Sequence, residues 1–187
     1  MTRRLIAGIL GIWALSTSAL AERVSIGFEG PGEGPAPAEM PEDGYLVATR
    51  NMMISSAEKS GDGTDGPNEI ESVMNIRGGV MIQRPGAPFQ FISLDWQSEK
   101  GEPSVVVEGY FGDVLIGTER FTLPQSAAEG GFVTFLANAL AGVVLDQLVF
   151  YPQRNRLGMG ALDKVVLDEP PEAIDTSDAG SMSAFKT

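Results

Sequence analysis

Two short apolar segments near the ends of the chain each deliver a carboxylate. Glu29 follows Val24-Ser25-Ile26-Gly27-Phe28, and Asp163 follows Gly160-Ala161-Leu162. Such acids can ligate a cation, move a proton, or simply carry charge. The residue types that are missing narrow the choice. The sequence contains no Cys and no His, so neither a Ser-His-Asp nor a Cys-His nucleophile pair can be built. Zinc held through nitrogen and sulfur is excluded on the same ground. Only oxygen ligands remain, and those suit calcium or magnesium.

A second oxygen-rich segment is the loop Asp62-Gly63-Thr64-Asp65-Gly66-Pro67-Asn68. Asp62 and Asp65 are its candidate ligands, but it lacks the Asp-x-Asp-x-Asp-Gly spacing and distal Glu of an EF-hand. Asp and Asn are also ordinary turn formers. Glycoside hydrolysis would need two carboxylates about 5–10 Å apart across a cleft. Asp95, Glu108, Glu119 and Asp146 lie on or near predicted strands, yet no spacing pairs them, and a non-enzyme is the expectation.

Sugar recognition on a β-sheet calls for exposed aromatic side chains. Trp96, Tyr110 and Tyr151 are the candidates, with Arg154 and Arg156 in the loop 152–158 as polar contacts. Trp96 is in phase with Ile92 and Leu94, which favours core packing over exposure. Tyr110 and Tyr151 sit at strand ends.

The elements that must position these residues are short. Predicted strands run over 24–30, 45–48, 51–54, 80–82, 88–96, 104–110, 114–117, 121–123, 132–135, 143–151 and 160–168. Alternation at Val24, Ile26 and Phe28 turns Ser25, Gly27 and Glu29 to the opposite face. Phe111-Gly112-Asp113 signals a hairpin, and Gly30 to Gly44 reads as a surface loop. The only helix expected is short, near Ala127 or over 137–140. This pattern argues for an all-β jelly-roll sandwich of two antiparallel sheets, its first and last strands meeting.

Residues 1–21 are expected to be a signal peptide. Arg3 and Arg4 precede an apolar run from Leu5 to Leu15, and Ala19-Leu20-Ala21 is the cleavage site. A run of about 11 residues is too short to span a membrane. One domain is expected over 22–168 and a disordered tail over 169–187, in an exported, periplasmic or secreted protein. The 25 acidic residues outnumber 13 basic ones, giving a net charge of −12. That balance disfavours nucleic acid and anionic membranes as partners.

The blocks Pro88-Phe89…Ser93-Leu94-Asp95, Val105-Val106-Val107-Glu108-Gly109-Tyr110…Leu115-Ile116-Gly117, Phe132-Val133-Thr134-Phe135, Leu148-Val149-Phe150 and Ala161-Leu162-Asp163-Lys164-Val165-Val166-Leu167 together resemble a set of exported bacterial β-sandwich proteins. Many of those carry a PEP-CTERM anchoring segment, and their fold is galactose-binding-like or carbohydrate-module-like. The resemblance covers about Arg23 to Asp168. Lys164 departs from it, standing where Asn is usual, and no sorting helix follows. The resemblance implies a structural Ca²⁺ shared by Glu29 and Asp163, and a non-catalytic module with carbohydrate as the possible ligand. The alternatives are a periplasmic or cell-surface interaction protein without a small ligand and, behind it, a glycoside hydrolase.

Overall fold

The computed structural model describes residues 22–56, 66–73, 78–98, 104–124, 131–153 and 160–170. The expected signal peptide, Asp62, Asp65, Ala127, Arg154, Arg156 and nearly all of the expected tail therefore lie outside the described residues.

Thirteen strands make up the described chain: β1 Glu22–Ile26, β2 Gly34–Pro35, β3 Glu39–Glu42, β4 Tyr45–Arg50, β5 Met52–Ser56, β6 Asn68–Ser72, β7 Gly79–Gln83, β8 Gln90–Ser98, β9 Ser104–Phe111, β10 Val114–Thr122, β11 Val133–Leu136, β12 Gln147–Pro152 and β13 Gly160–Glu169. One sheet runs β11-β8-β13-β6-β5-β2, with β1 alongside β13, and the other runs β10-β9-β12-β7-β4-β3. Every pairing is antiparallel. The all-β sandwich expected from the sequence is thus the observed architecture.

Period-two alternation builds the interior between the sheets. Val105 and Val107 on β9, Leu148 and Phe150 on β12, and Val80 and Ile82 on β7 all point inward and are buried. From the facing sheet come Phe91, Leu94 and Trp96 on β8 and Leu162 on β13. Phe91 bridges the layers, its ring 6.4 Å from Phe121 and 6.1 Å from Phe150.

The first and last strands do meet. Ile26 lies opposite Val165 and Glu22 opposite Glu169, and Arg23 caps the pair with a 2.9 Å ion pair to Asp168. The other edge of β13 pairs along β8, while its first residues, Ala161 and Leu162, pair with β6. A bulge lets one strand serve both neighbours. The register shifts between Asp163 and Val166, where Lys164 adopts a positive φ of 34°.

Several expectations are corrected. Val143 to Asp146 do not belong to the strand that ends at Pro152. They form a loop that drops Leu145 into the core. Residues 138–142 are turns rather than a helix. The 30–44 segment contains the short edge strands β2 and β3. The segments at 114–117 and 121–123 are one strand, β10. Its hairpin with β9 closes through Gly112 and Asp113, at φ 55° and 64°, the pair of left-handed residues that a two-residue type I′ turn requires.

Beyond β1 the chain turns at Phe28, φ 62°, held by one carboxylate. Glu42 Oε1 accepts hydrogen bonds from the backbone N–H of Gly27 (2.8 Å) and Phe28 (3.0 Å), while its Oε2 is buried without a partner. Desolvation raises the Glu42 pKa, against the opposing pull of those N–H donors. A carboxyl whose folded pKa is raised favours the folded state below its unfolded pKa, and that advantage is lost as pH rises toward the folded value. Glu42→Gln should therefore flatten the denaturation midpoint against pH just above the ordinary Glu range. Glu42→Ala should cost about 2 kcal/mol at neutral pH by stranding two donors. Midpoints for both variants across that pH range check the pair, and a Glu42→Gln profile parallel to the parent's would refute the first.

Candidate functional site

The outward face of the β10-β9-β12-β7-β4-β3 sheet collects the polar and aromatic groups that the core excludes. On β9 the inward Val107 leaves Glu108 and Tyr110 pointing out, and on β12 the inward Phe150 does the same for Tyr151. Register brings these groups together. Val149 lies opposite Glu108 and Tyr151 opposite Val106, so Tyr151 sits diagonally across from Glu108, within aromatic reach. The Tyr110 hydroxyl donates to Glu108 Oε2 at 2.6 Å and the Tyr151 hydroxyl to Oε1 at 2.7 Å.

One carboxylate thus pins two phenols. The hydrogen bond to Glu108 raises the Tyr110 pKa, with burial adding to it. Burial pushes Tyr151 up to about 12, followed by its bond to Glu108. Both hydroxyls therefore stay protonated donors at any ordinary pH, and their rings are held in fixed orientations.

Beside Tyr151 opens a groove of about 490 Å³, bordered by Ala48, Arg50, Met81 and Val149. Its floor is backbone at Gly78 and Gly79. A side chain on Gly78 would run into the Asn51 carbonyl and the Met52 sulfur, and one on Gly79 into the Phe150 carbonyl. The trough has Tyr151 on one wall and Arg50 on the other.

The candidates read from the sequence separate into three groups. Tyr110 and Tyr151 are brought together on this face. Trp96 is removed from it: 2 % exposed, it packs in the core with its indole over Gly160, so it cannot stack on a ligand. Arg154, Asp62 and Asp65 lie outside the described residues.

Glu29 and Asp163 stand in different surroundings. Glu29 is exposed, and its Oε1 accepts from the Asn68 N–H at 3.1 Å. Asp163 is fully buried beside Asp95, and its Oδ1 accepts from the Lys164 N–H at 2.7 Å. Calcium needs six to eight oxygens. Among the described residues no group of three or more His, Cys, Asp or Glu side chains is placed to hold a metal, and the shared calcium remains what the resemblance implies.

The strand acids considered for hydrolysis are dispersed. Asp95 faces away from the core-facing Leu94 and Trp96, and Glu119 is buried with Oε1 on the Asn138 and Leu140 N–H groups. Asp146 accepts from Gly112 N–H at the hairpin, and Glu108 is occupied by the tyrosines.

Sequence reasoning missed Glu108 as the tyrosine clamp, and it missed Arg50, Arg120 and the Gly78-Gly79 floor. Alternation along β9 does reveal Glu108 and Tyr110 as same-face neighbours. The partnership with Tyr151 depends on a register between strands about forty residues apart, which no local signal carries.

No protein-family model matches the chain, and no curated protein does. Solved structures do. A carbohydrate-binding module of family 29 matches with TM-score 0.50 at 16 % identity, over 80 % of this chain and 90 % of that one. A mutant family 29 module complexed with cellulohexaose matches with TM-score 0.50 at 15 % identity, over 80 % and 92 %. At these identities the likeness is one of fold: a carbohydrate-module-like β-sandwich.

Proposed function

We propose that the chain is an exported, non-catalytic binding module that holds a linear glycan across the outward face of the β10-β9-β12-β7-β4-β3 sheet. The observation that carries this reading is the pair of tyrosines clamped by Glu108 beside the Gly78-Gly79 groove. Tyrosine rings offer flat apolar surface to the C–H face of a sugar, and hydroxyls fixed in advance reduce the entropy lost on binding. The open trough suits a chain-like ligand lying along the sheet rather than a small molecule engulfed in a cavity. Export rests on the basic and apolar pattern of residues 1–21. A similar solved structure is a complex with cellulohexaose, which makes that oligosaccharide the first probe.

Calorimetry of the full chain with cellulohexaose and a panel of other linear oligosaccharides tests the reading. Tyr151→Ala should weaken binding about tenfold or more, as expected for a buried aromatic anchor. Tyr151→Phe keeps the ring, loses the clamp, and should weaken binding less. No binding anywhere in the panel, or a Tyr151→Ala variant that binds like the parent, would overturn the proposal.

A second reading is favoured by a different observation. Phe111, Val114, Leu115 and Ile116 are about half exposed at the tip of the β9–β10 hairpin, an apolar cluster of the kind that marks protein contacts. A chain silent toward glycans would be an interaction protein using that hairpin.

A further inference from the structure

Two arginines stand on the glycan face without partners. Arg50 on β4 and Arg120 on β10 are both exposed, and among the described residues neither makes an ion pair or hydrogen bond. In a chain with 25 acidic residues and 13 basic ones, such arginines would ordinarily find a carboxylate. Arg23 and Arg84 do, on Asp168 and Glu169, away from this face. Glu108, on the same face, accepts the two tyrosine hydroxyls, and no hydrogen bond or ion pair joins it to either arginine.

Their placement is ordered. Arg50 lies opposite Gly79, and a Cβ on Gly79 would sit 3.7 Å from that of Tyr151. Tyr151 lies opposite Val106, and Val106 opposite Arg120. One row across five strands therefore reads Arg50, Gly79, Tyr151, Val106, Arg120. The two arginines flank the tyrosine with their backbones about 19 Å apart, four interstrand spacings. Arg120 is close enough to Tyr151 for its charge to lower that phenol's pKa, against the larger effects that raise it.

Resting on the glycan-binding reading above, we infer that the ligand is an acidic chain, a polyuronate-type glycan whose carboxylates meet Arg50 and Arg120 while an intervening sugar lies on Tyr151. The guanidinium fork matches a carboxylate in bidentate fashion and is desolvated more cheaply than an ammonium. The overall charge of −12 repels a polyanion at long range, so recognition falls to these two local charges, and binding should be sensitive to salt.

The test compares hexagalacturonate with cellulohexaose, matched in length, on the full chain at low and at raised salt. The acidic hexamer should bind more tightly than cellulohexaose at raised salt, where the long-range repulsion is screened and the close ion pairs persist. Arg50→Gln and Arg120→Gln should each weaken it about tenfold and weaken cellulohexaose far less, so the ratio of the two affinities reads the charge contact. Both side chains are exposed, so thermal midpoints should stay at the parent value. If cellulohexaose binds while the acidic hexamer does not, or if the arginine variants bind the acid like the parent, the acidic-ligand inference falls and the glycan reading stands. If neither hexamer nor any of the oligosaccharide panel binds, both fall.

Discussion

Gly160→Ala should be among the most damaging single substitutions in this chain, lowering stability by about 3 kcal/mol, the upper range for overpacking a core. A Cβ on Gly160, the first residue of β13, would lie 2.0 Å from Cζ2 and 2.4 Å from Cη2 of Trp96, which is 2 % exposed. Neither group can move cheaply. The glycine belongs to a strand paired on both edges, and the indole is closed in by the core. A double-mutant cycle isolates the cause. Trp96→Phe removes the ring that collides, and it costs no hydrogen bond because the indole N–H has no acceptor. The phenylalanine alone leaves a cavity worth about 2 kcal/mol. Combined with Gly160→Ala, it should cost clearly less than the sum of the two single changes. Strict additivity in chemical denaturation would show that the clash is not the reason.

Glu119→Ala is the second substitution expected to have a large effect. Glu119 lies on β10 but reaches inward, its Oε1 accepting from the backbone N–H of Asn138, at 2.8 Å, and of Leu140. Those bonds seat the 138–142 turns so that Leu140 is fully buried against the bare backbone of Gly109 and Gly117. Alanine strands two donors and frees the leucine, a loss of about 3 kcal/mol. Glutamine retains the accepting oxygen and should cost about half as much. Hydrogen exchange at the Leu140 amide gives a local readout: it should accelerate strongly in the alanine variant and modestly in the glutamine variant. Parent-like exchange in Glu119→Ala would mean that the turns hold themselves in place.

These two sites show where the sequence was informative and where it was not. The hairpin at Gly112-Asp113 was legible because the turn chemistry is local and strict. Burial of Trp96 was legible because Leu94 and Trp96 share a strand face. The meeting of β1 and β13 was suggested by two acid-bearing apolar segments at the two ends of a predicted sandwich, and the structure pairs them. Val143 to Leu145 misled, since an apolar run entering the core through a loop looks the same as a strand. Glu119 misled in the other direction: an acid on an edge strand reads as solvated, and only the returning loop explains its burial. The site was half legible. Tyr110 and Tyr151 were identifiable as strand-end aromatics, and the clamp between them was not, because the cross-strand register fixes it.

The position of β13 bears on how the molecule comes together in time. The β11-β8 pair and the β6-β5-β2 group touch within their sheet only through β13, and β1 waits for residues 165–169 of the same strand. During synthesis that sheet cannot complete its pairing until residues 160–169 are available, whereas the β10-β9-β12-β7-β4-β3 sheet does not contain β13. Such late closure slows folding through its many long-range pairings. It also leaves β8 and β6 each with an unpaired edge in the nascent chain until β13 arrives between them, the kind of edge that invites pairing with another chain.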